Sequence, residues 1–388
     1  MTPHFDAESE RFIETAKRLA SDVLAPHASD VDRDSRFPIE AATALKNERF
    51  LGAMIPKELG GEGIPLLAIA EATKELGRAC SSSAVAYAMH QIQVACLIRH
   101  GNTPYLQDYT REVADQQLLL ASATSEAGVG GNVRNSLCFV EPTATGYRLE
   151  KRASVLSYAD YADGILATAR RAIDAAPTDQ LLVAIPRRDF TLERTSEWNA
   201  LGFRGTCSNG YVLRAEGDNE QIMADPYGDI AGQTMTPVSH ILWSYAWLGI
   251  ATEAVHKARR YTRAESRKKP GETLPSALRA AELYGELQEM ESLVRNTARD
   301  YAEVMDDYDA LASLKFAIRV NNLKISSSRM VVELVNKALS VVGLAGYRED
   351  TPYSMGRLLR DSLAAPIQVN NDRLFGSNAQ WLRIYKED

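Results

Sequence analysis

Hydrophobic and polar positions along the chain follow two different periods, which change places twice. From Asp6 to Leu24 the residues Phe12, Ile13, Ala16, Leu19, Ala20 and Val23 recur at three- and four-residue steps, which predicts an amphipathic helix with Pro26 just past its end. A second helix is predicted from Pro38 through Ala41, Ala42 and Leu45, and the glycine- and proline-rich IPKELGGEGIP after it reads as a loop. Helices resume near Leu66 and again through SSAVAYAMHQIQVACLIRHG, where Val85, Met89, Ile92 and Cys96 are apolar and Gly101 is placed to cap the end. Near Leu118 short β-favouring runs take over: LLLASAT, SLCFVEP, GYRLEK, DGILATAR, LLVAIP and YVLRA. From Thr234 the helical period returns, in stretches at 238–268, 276–306 and 308–342 long enough to pack as a bundle. The expected fold class is α+β, with an N-terminal helical domain over 1–117, a central β-barrel-like domain over 118–233 and a C-terminal four-helix bundle over 234–388. KKPGETLP at 268–275 is the one linker-like stretch.

Composition narrows the function. At about 150 residues per domain, 388 residues suggest two or three packed units. A hydrophobic fraction of 45% and a charged fraction of 24% are ordinary for a globular chain and argue against disorder. The 44 basic and 51 acidic residues give a net charge of −7, with no basic cluster dense enough to follow a phosphate backbone, so no nucleic-acid partner is expected. Cys80, Cys96, Cys138 and Cys207 form no CxxC pair, which fits a reducing, cytoplasmic setting. The N-terminus lacks the basic and apolar regions of a signal peptide, and the most apolar run, Ile241–Ile250, is too short to span a bilayer; no membrane association is expected. The six histidines make no HxxxH or HExxH pair, so no metal is expected, and there is no GxSxG elbow.

The candidate chemistry lies after the first strand, in SATSEAGVGGN at 122–132, where hydroxyls stand beside glycines. Hydroxyls and exposed backbone N–H groups can bond the edge of a heterocycle, and glycines let a planar ligand approach the main chain. A polar turn is the alternative, and GxGxxG is absent. Several further segments arrive in order: Ala25-Pro26, Asp32, Phe37-Pro38, IPKELGGEG at 55–63, AMHQIQVACLIRHGN at 88–102, SEAGVGGN at 125–132, SYADYADGILATAR at 157–170, LGFRGTCSNGYVL at 201–213 and LLRDSLAAPI at 358–367. Together they resemble the acyl-CoA dehydrogenase family of flavoproteins over nearly the whole chain.

The resemblance implies a noncovalent FAD at the junction of the β domain and the C-terminal bundle, and a homodimer or homotetramer. By position it places Ser122, Thr124 and Ser125 against the flavin ring, Ser157 at its N5 edge and Val155 where the family carries a Trp at the flavin face. Gly131 and Ser239 fall where substrate is met, Gly131 in place of a Ser. Arg267, with Arg263 as the alternative, stands for the pyrophosphate-binding Arg; Gly343, with Gly346, for a glycine turn meeting the FAD of a neighbouring subunit; and Asn371 for a further cofactor contact. The substrate implied is an acyl thioester on coenzyme A or an acyl carrier protein, and the electron acceptor an electron-transfer flavoprotein.

One departure bears on mechanism. Oxidation α,β to a thioester needs a carboxylate for the α-proton while hydride leaves the β-carbon. The family's two positions for that Glu are held here by Val369 and Ser239. The expected function is α,β-dehydrogenation with a non-standard base, His240, with Asp372 beside the other position; as a bundle residue His240 is otherwise a hydrogen-bonded helical histidine, and Asp372 a helix cap. A second reading is flavin-dependent oxygenation or β-elimination on the same fold, with His90 near the pocket or simply buried in its helix. A third is a flavin- or acyl-binding protein without turnover.

Overall fold

The computed structural model describes residues 5–130 and 134–386. Six α-helices come first among the described residues: α1 (Ala7–Leu19), α2 (Ala25–Arg33), α3 (Ile39–Asn47), α4 (Leu66–Ala79), α5 (Ser81–His100) and α6 (Pro104–Gln116). Asp6 caps α1 by accepting from Ser9 N–H at 2.7 Å. The predicted stop at Pro26 is corrected. Ala20–Leu24 forms a π-helical turn in which Ala25 N–H bonds Ala20 O, and Pro26 then sits in the first turn of α2, where its missing N–H costs nothing.

Among the described residues seven strands follow: β1 (Leu120–Ala123), β2 (Glu141–Pro142), β3 (Tyr147–Ala153), β4 (Gly164–Arg170), β5 (Gln180–Pro186), β6 (Phe190–Ser196) and β7 (Gly210–Gly217). They make two separate sheets, β1-β4-β5 and β2-β3-β7-β6, so the barrel-like expectation is corrected: β1 and β4 pair parallel, every other pair is antiparallel, and the sheets do not close on each other. β4 and β5 are buried almost throughout and read as continuous apolar runs. The alternation that defines β3 puts Tyr147, Leu149, Lys151 and Ala153 inside. The mostly polar FTLERTS of β6 has an exposed outer half and gave no apolar alternation to read.

The chain then returns to helix: α7 (Tyr227–Ile230), α8 (Thr236–Ser266), α9 (Pro275–Val304), α10 (Tyr308–Ala312), α11 (Leu314–Val342), α12 (Leu344–Tyr347), α13 (Gly356–Ser362) and α14 (Asn371–Trp381). The predicted 308–342 stretch is two helices, because Ser313 adopts an extended conformation and caps α11 through Phe316 N–H. Ile241–Ile250 is a part of α8 buried at every position but the partly buried Trp243, as its composition predicts. Helices α8, α9, α11 and α14 form the bundle, and α4 packs along α8. Charge pairs tie the first domain to it: Arg295 of α9 reaches Glu71 of α4 at 2.8 Å, beside Glu75–Arg78 at 2.7 Å. Among the described residues no helix is long and apolar enough to cross a membrane, and no cluster of ligating side chains could hold a metal. The four cysteines are free thiols.

Candidate functional site

Three loops at one end of the β domain are stitched together by backbone and hydroxyl bonds. Ser122 of β1 and Thr124 just past its end are half-buried, alternating with Ala121 and Ala123 in the core. Beyond them Ser125 Oγ donates to Val155 O at 2.6 Å, and Ala127 N–H donates to Arg152 O at 2.8 Å. The 155–158 loop is joined in turn to 203–209 by Leu156 N–H to Asn209 O and Tyr158 N–H to Thr206 O. Val155 is 40% exposed, a broad apolar side chain at the surface of this junction.

The loop after β1 is anchored from beneath by a charge. Glu126 is buried and accepts from Ser136 Oγ (2.7 Å), the N–H groups of Leu137 (3.1 Å) and Cys138 (2.7 Å), and Lys151 Nζ (3.1 Å). Burial alone would raise its pKa, but the Lys151 charge and these hydrogen bonds outweigh it, so the carboxylate is held below its usual range. Lys151, fully buried, completes its donors on Thr168 O and Oγ1.

The other wall comes from the C-terminal domain. Asp361 of α13 accepts Phe203 N–H at 2.7 Å, and a Cβ on Gly202 would stand 2.3 Å from Arg360 O, so the LGFRG segment can seat on α13 only with glycine there. On the far side Gly205 lies against Val31 and Ser82, where a side chain would not fit. Arg360 also pairs with Asp32, bringing three of the motifs read from sequence into one contact. Segment 366–371 is held by a residue that sequence reading passed over: Lys324 of α11, fully buried, donates to Val369 O, Asn371 Oδ1 (2.8 Å) and Pro366 O (3.4 Å), and lies 5.8 Å from the Trp247 ring centroid. Burial pushes its pKa down to about 7.

Four non-glycine residues here, Tyr158, Phe203, Cys207 and Val369, have positive φ, of seven such residues among those described. A left-handed β-branched Val369 is unusual and persists only because its surroundings hold it.

The histidines differ in role. Leu120 N–H donates to His90 Nδ1 at 3.0 Å, so Nε2 carries the ring proton and donates to Leu51 O at 2.7 Å. Both nitrogens are spent, and burial lowers the pKa to about 4. His90 is a bolt between α5, Leu51 and the start of β1. His240 is also buried; Nδ1 lies 3.3 Å from Val320 O, which makes Nδ1 the protonated nitrogen and leaves the lone pair on Nε2. Burial and then the Lys324 charge push its pKa to about 3. Ser239 Oγ donates to Thr236 O within its own helix.

The remaining sequence-derived positions divide. Asn371 spends its side chain on Lys324 and Ser328. Asp372 is exposed in the first turn of α14, whose cap is Asn370 instead. Arg267 is exposed at the far end of α8, about 40 Å along the helix axis from His240, and the exposed Gly343 (φ +66°) ends α11; neither reaches the junction within one chain. Gly131 lies outside the described residues. The loop before it meets α14, since Arg373 donates to Gly130 O at 2.7 Å.

A flavin ring carries donors and acceptors along its edges, and the junction offers partners for both. Trp243 Nε1 on α8 and Gln368 Oε1 in the 366–371 segment are buried without any hydrogen-bond partner, and such atoms are costly unless a ligand satisfies them. With the half-exposed Ser122, Thr124 and Ser157 hydroxyls, these are donors and acceptors of the kinds that a flavin edge takes. A surface concavity of about 640 Å³ lies elsewhere, over Glu141, Arg148, Glu150 and Arg214, and both of these arginines are already paired to carboxylates.

Residues 6–117 match the model of the acyl-CoA dehydrogenase N-terminal domain, and residues 233–368 that of the acyl-CoA dehydrogenase C-terminal domain. The chain is 24% identical over 373 residues to a mitochondrial isovaleryl-CoA dehydrogenase of Oryza sativa subsp. japonica (92% of this chain, 87% of that one). It is 25% identical over 359 residues to the amino sugar nitrososynthase DnmZ of Streptomyces peucetius (87% and 84%). Among solved structures, FMN-bound TdsC from Paenibacillus sp. A11-2, a dibenzothiophene monooxygenase, superposes with a TM-score of 0.85 at 19% identity, covering 97% of this chain and 98% of that one.

Proposed function

The chain belongs to the acyl-CoA dehydrogenase family, and from that premise we propose that it is a flavin-dependent monooxygenase, binding flavin where the β-domain loops meet α8, α13 and the 366–371 segment. The observation that carries this reading is the state of the two places where the family keeps its base. One is Ser239, bonded into its own helix; the other is Val369, whose carbonyl is capped by a buried lysine. A general base should have a pKa near the working pH, and His240, at about 3, is far from it.

Oxygenation makes no demand for an α-proton. A bound reduced flavin would supply the two electrons that split dioxygen between product and water. A nicotinamide-driven flavin reductase is the class of enzyme that would regenerate it. This chain's residues then bind and orient: Ser122, Thr124, Ser125 and Ser157 edge the ring, Val155 covers its face, and Trp243 Nε1 and Gln368 Oε1 take polar partners they otherwise lack. FMN suffices for these contacts; the diphosphate of an FAD would need Arg267 and Gly343 of a neighbouring subunit. Leu344 and Tyr347, more than 70% exposed beside Gly343, are surface that such a subunit would cover in a homodimer or homotetramer. We place the protein in the cytoplasm, where its free thiols stay reduced.

One observation favours a second reading. The His240 tautomer leaves an Nε2 lone pair next to the family's base position, so α,β-dehydrogenation of an acyl thioester, on coenzyme A or a carrier protein, with an electron-transfer flavoprotein as acceptor, is the competing assignment. The two separate on labelled dioxygen. With FMN or FAD kept reduced, and thioesters and indole offered in turn, oxygenation predicts a product one labelled oxygen atom heavier by mass spectrometry. Enoyl thioester formed when the same thioesters are mixed with the oxidised, flavin-loaded protein, the state a dehydrogenation needs as its hydride acceptor, would overturn it.

A further inference from the structure

Three hydroxyls run inward from the flavin-facing loop in a line whose proton order is fixed. Thr206 Oγ1 lies 2.8 Å from Phe203 O, and a carbonyl has no proton, so the Thr206 proton bridges that gap. Ser208 Oγ is 2.7 Å from Thr206 Oγ1; with the Thr206 proton already used, Ser208 must donate. Ser157 Oγ is 2.7 Å from Ser208 Oγ, and with the Ser208 proton used in its turn, Ser157 must donate as well. Thr206 and Ser208 are buried while Ser157 is half-buried, so the line starts at the surface of the junction and ends inside. Such chains strengthen each other's polarity.

We infer that Ser157 presents a hydrogen-bond acceptor, not a donor, to the flavin edge, because Ser208 and Thr206 draw its single proton inward, and that this relay tunes the site toward reduced flavin. The inference rests on the flavin reading above. An oxidised ring has a bare nitrogen at its central edge, which wants a donor. The reduced ring carries N–H there, which wants an acceptor, and Ser157 has only that to give. Ser208 is a positioning residue in this scheme: it acts on the ring through Ser157. Neither it nor Thr206 was singled out by sequence, although both lie in the quoted LGFRGTCSNGYVL.

The test is a pair of anaerobic titrations of the full chain, one with oxidised and one with chemically reduced FMN, repeated with FAD, giving a ratio of dissociation constants. In Ser208→Ala the Ser157 proton is released to the ring. The preference for reduced flavin is expected to fall about tenfold, because the freed Ser157 hydroxyl gains a hydrogen bond to the oxidised ring while it can still accept from the reduced one, which for a two-electron couple is a potential lower by about 30 mV. Ser208→Thr keeps the hydroxyl and is expected to keep the ratio. Thr206→Val preserves shape, frees the Ser208 proton to point outward and is expected to move the ratio the same way as Ser208→Ala, which covers a Ser208→Ala variant that does not fold. Flavin binding with a ratio unchanged in both variants overturns the relay and leaves the flavin site standing. Failure of the wild-type chain to bind either flavin overturns the proposed function, and the relay with it.

Discussion

Glu126→Ala is expected to be the most damaging single substitution at the site, at a cost of about 3–5 kcal/mol of stability, because it leaves the Lys151 ammonium buried with no counter-charge. The same change frees the N–H groups of Leu137 and Cys138 and unlatches the loop that carries Thr124 and Ser125, next to Ser122 at the end of β1. Flavin affinity should therefore fall with stability. Thermal unfolding of wild type, Glu126→Ala and the double variant with Lys151→Met separates the two effects: removing both partners should recover part of the lost stability without restoring flavin binding. A loss below about 1 kcal/mol in Glu126→Ala would mean the pair is solvated and anchors nothing. The pH dependence has a definite sign. Glu126 is held below the ordinary carboxylate pKa of 4.5, so its contribution is complete above that value and disappears as the pH falls through the lower folded-state value.

Lys324→Met is the second large effect. Methionine fills a similar space but leaves Val369 O without its donor, and a buried unpaired acceptor costs about 1–3 kcal/mol. Left-handed Val369 has no reason to keep its conformation once that donor is gone. A loss of about 3 kcal/mol is expected in chemical denaturation, with weakened flavin binding, since Gln368 lies in the released segment. Stability also acquires a pH signature. Burial sets the folded-state pKa of Lys324 at about 7 against 10.5 in the unfolded chain, so between these values the unfolded chain binds more protons and the contribution of this residue to stability rises with pH. The wild-type and Lys324→Met curves of stability against pH should therefore differ in slope from about 7 to 10. Parallel curves would show that Lys324 titrates as an ordinary lysine.

The contrast between Lys151 and Ser208 shows how much of this could be read from sequence. Lys151 falls on the inward phase of GYRLEKRA, and Lys324 on the same helical stripe as Val320 and Val331, so a charge at a core-phase position was a signal available without a structure. A periodicity of apolar residues alone passes over both. The order of elements and the pairing of LGFRG with the Arg360-Asp361 segment follow from turn chemistry and motif order, which are local. By contrast, the Ser157–Ser208–Thr206 line, the exhausted hydrogen bonds of Asn371 and the open sheet edges depend on approaches between segments far apart in the chain, 51 residues for Ser157 and Ser208, which no local pattern encodes. Pro26 misled for a related reason: proline ends a helix only where a carbonyl four residues back needs its proton, and the π-helical turn removes that need.

The proposal that the family's proton-abstracting step has been given up is tested most directly by anaerobic mixing of the flavin-loaded protein with butyryl-, isovaleryl- and longer-chain acyl-CoA while the visible flavin absorbance is followed. With Ser239 and Val369 at the two base positions and His240 neutral down to about pH 3, the account predicts an oxidised flavin spectrum that persists with every thioester. Rapid bleaching of the flavin by any one of them, lost in His240→Ala, would contradict it and return the chain to dehydrogenation.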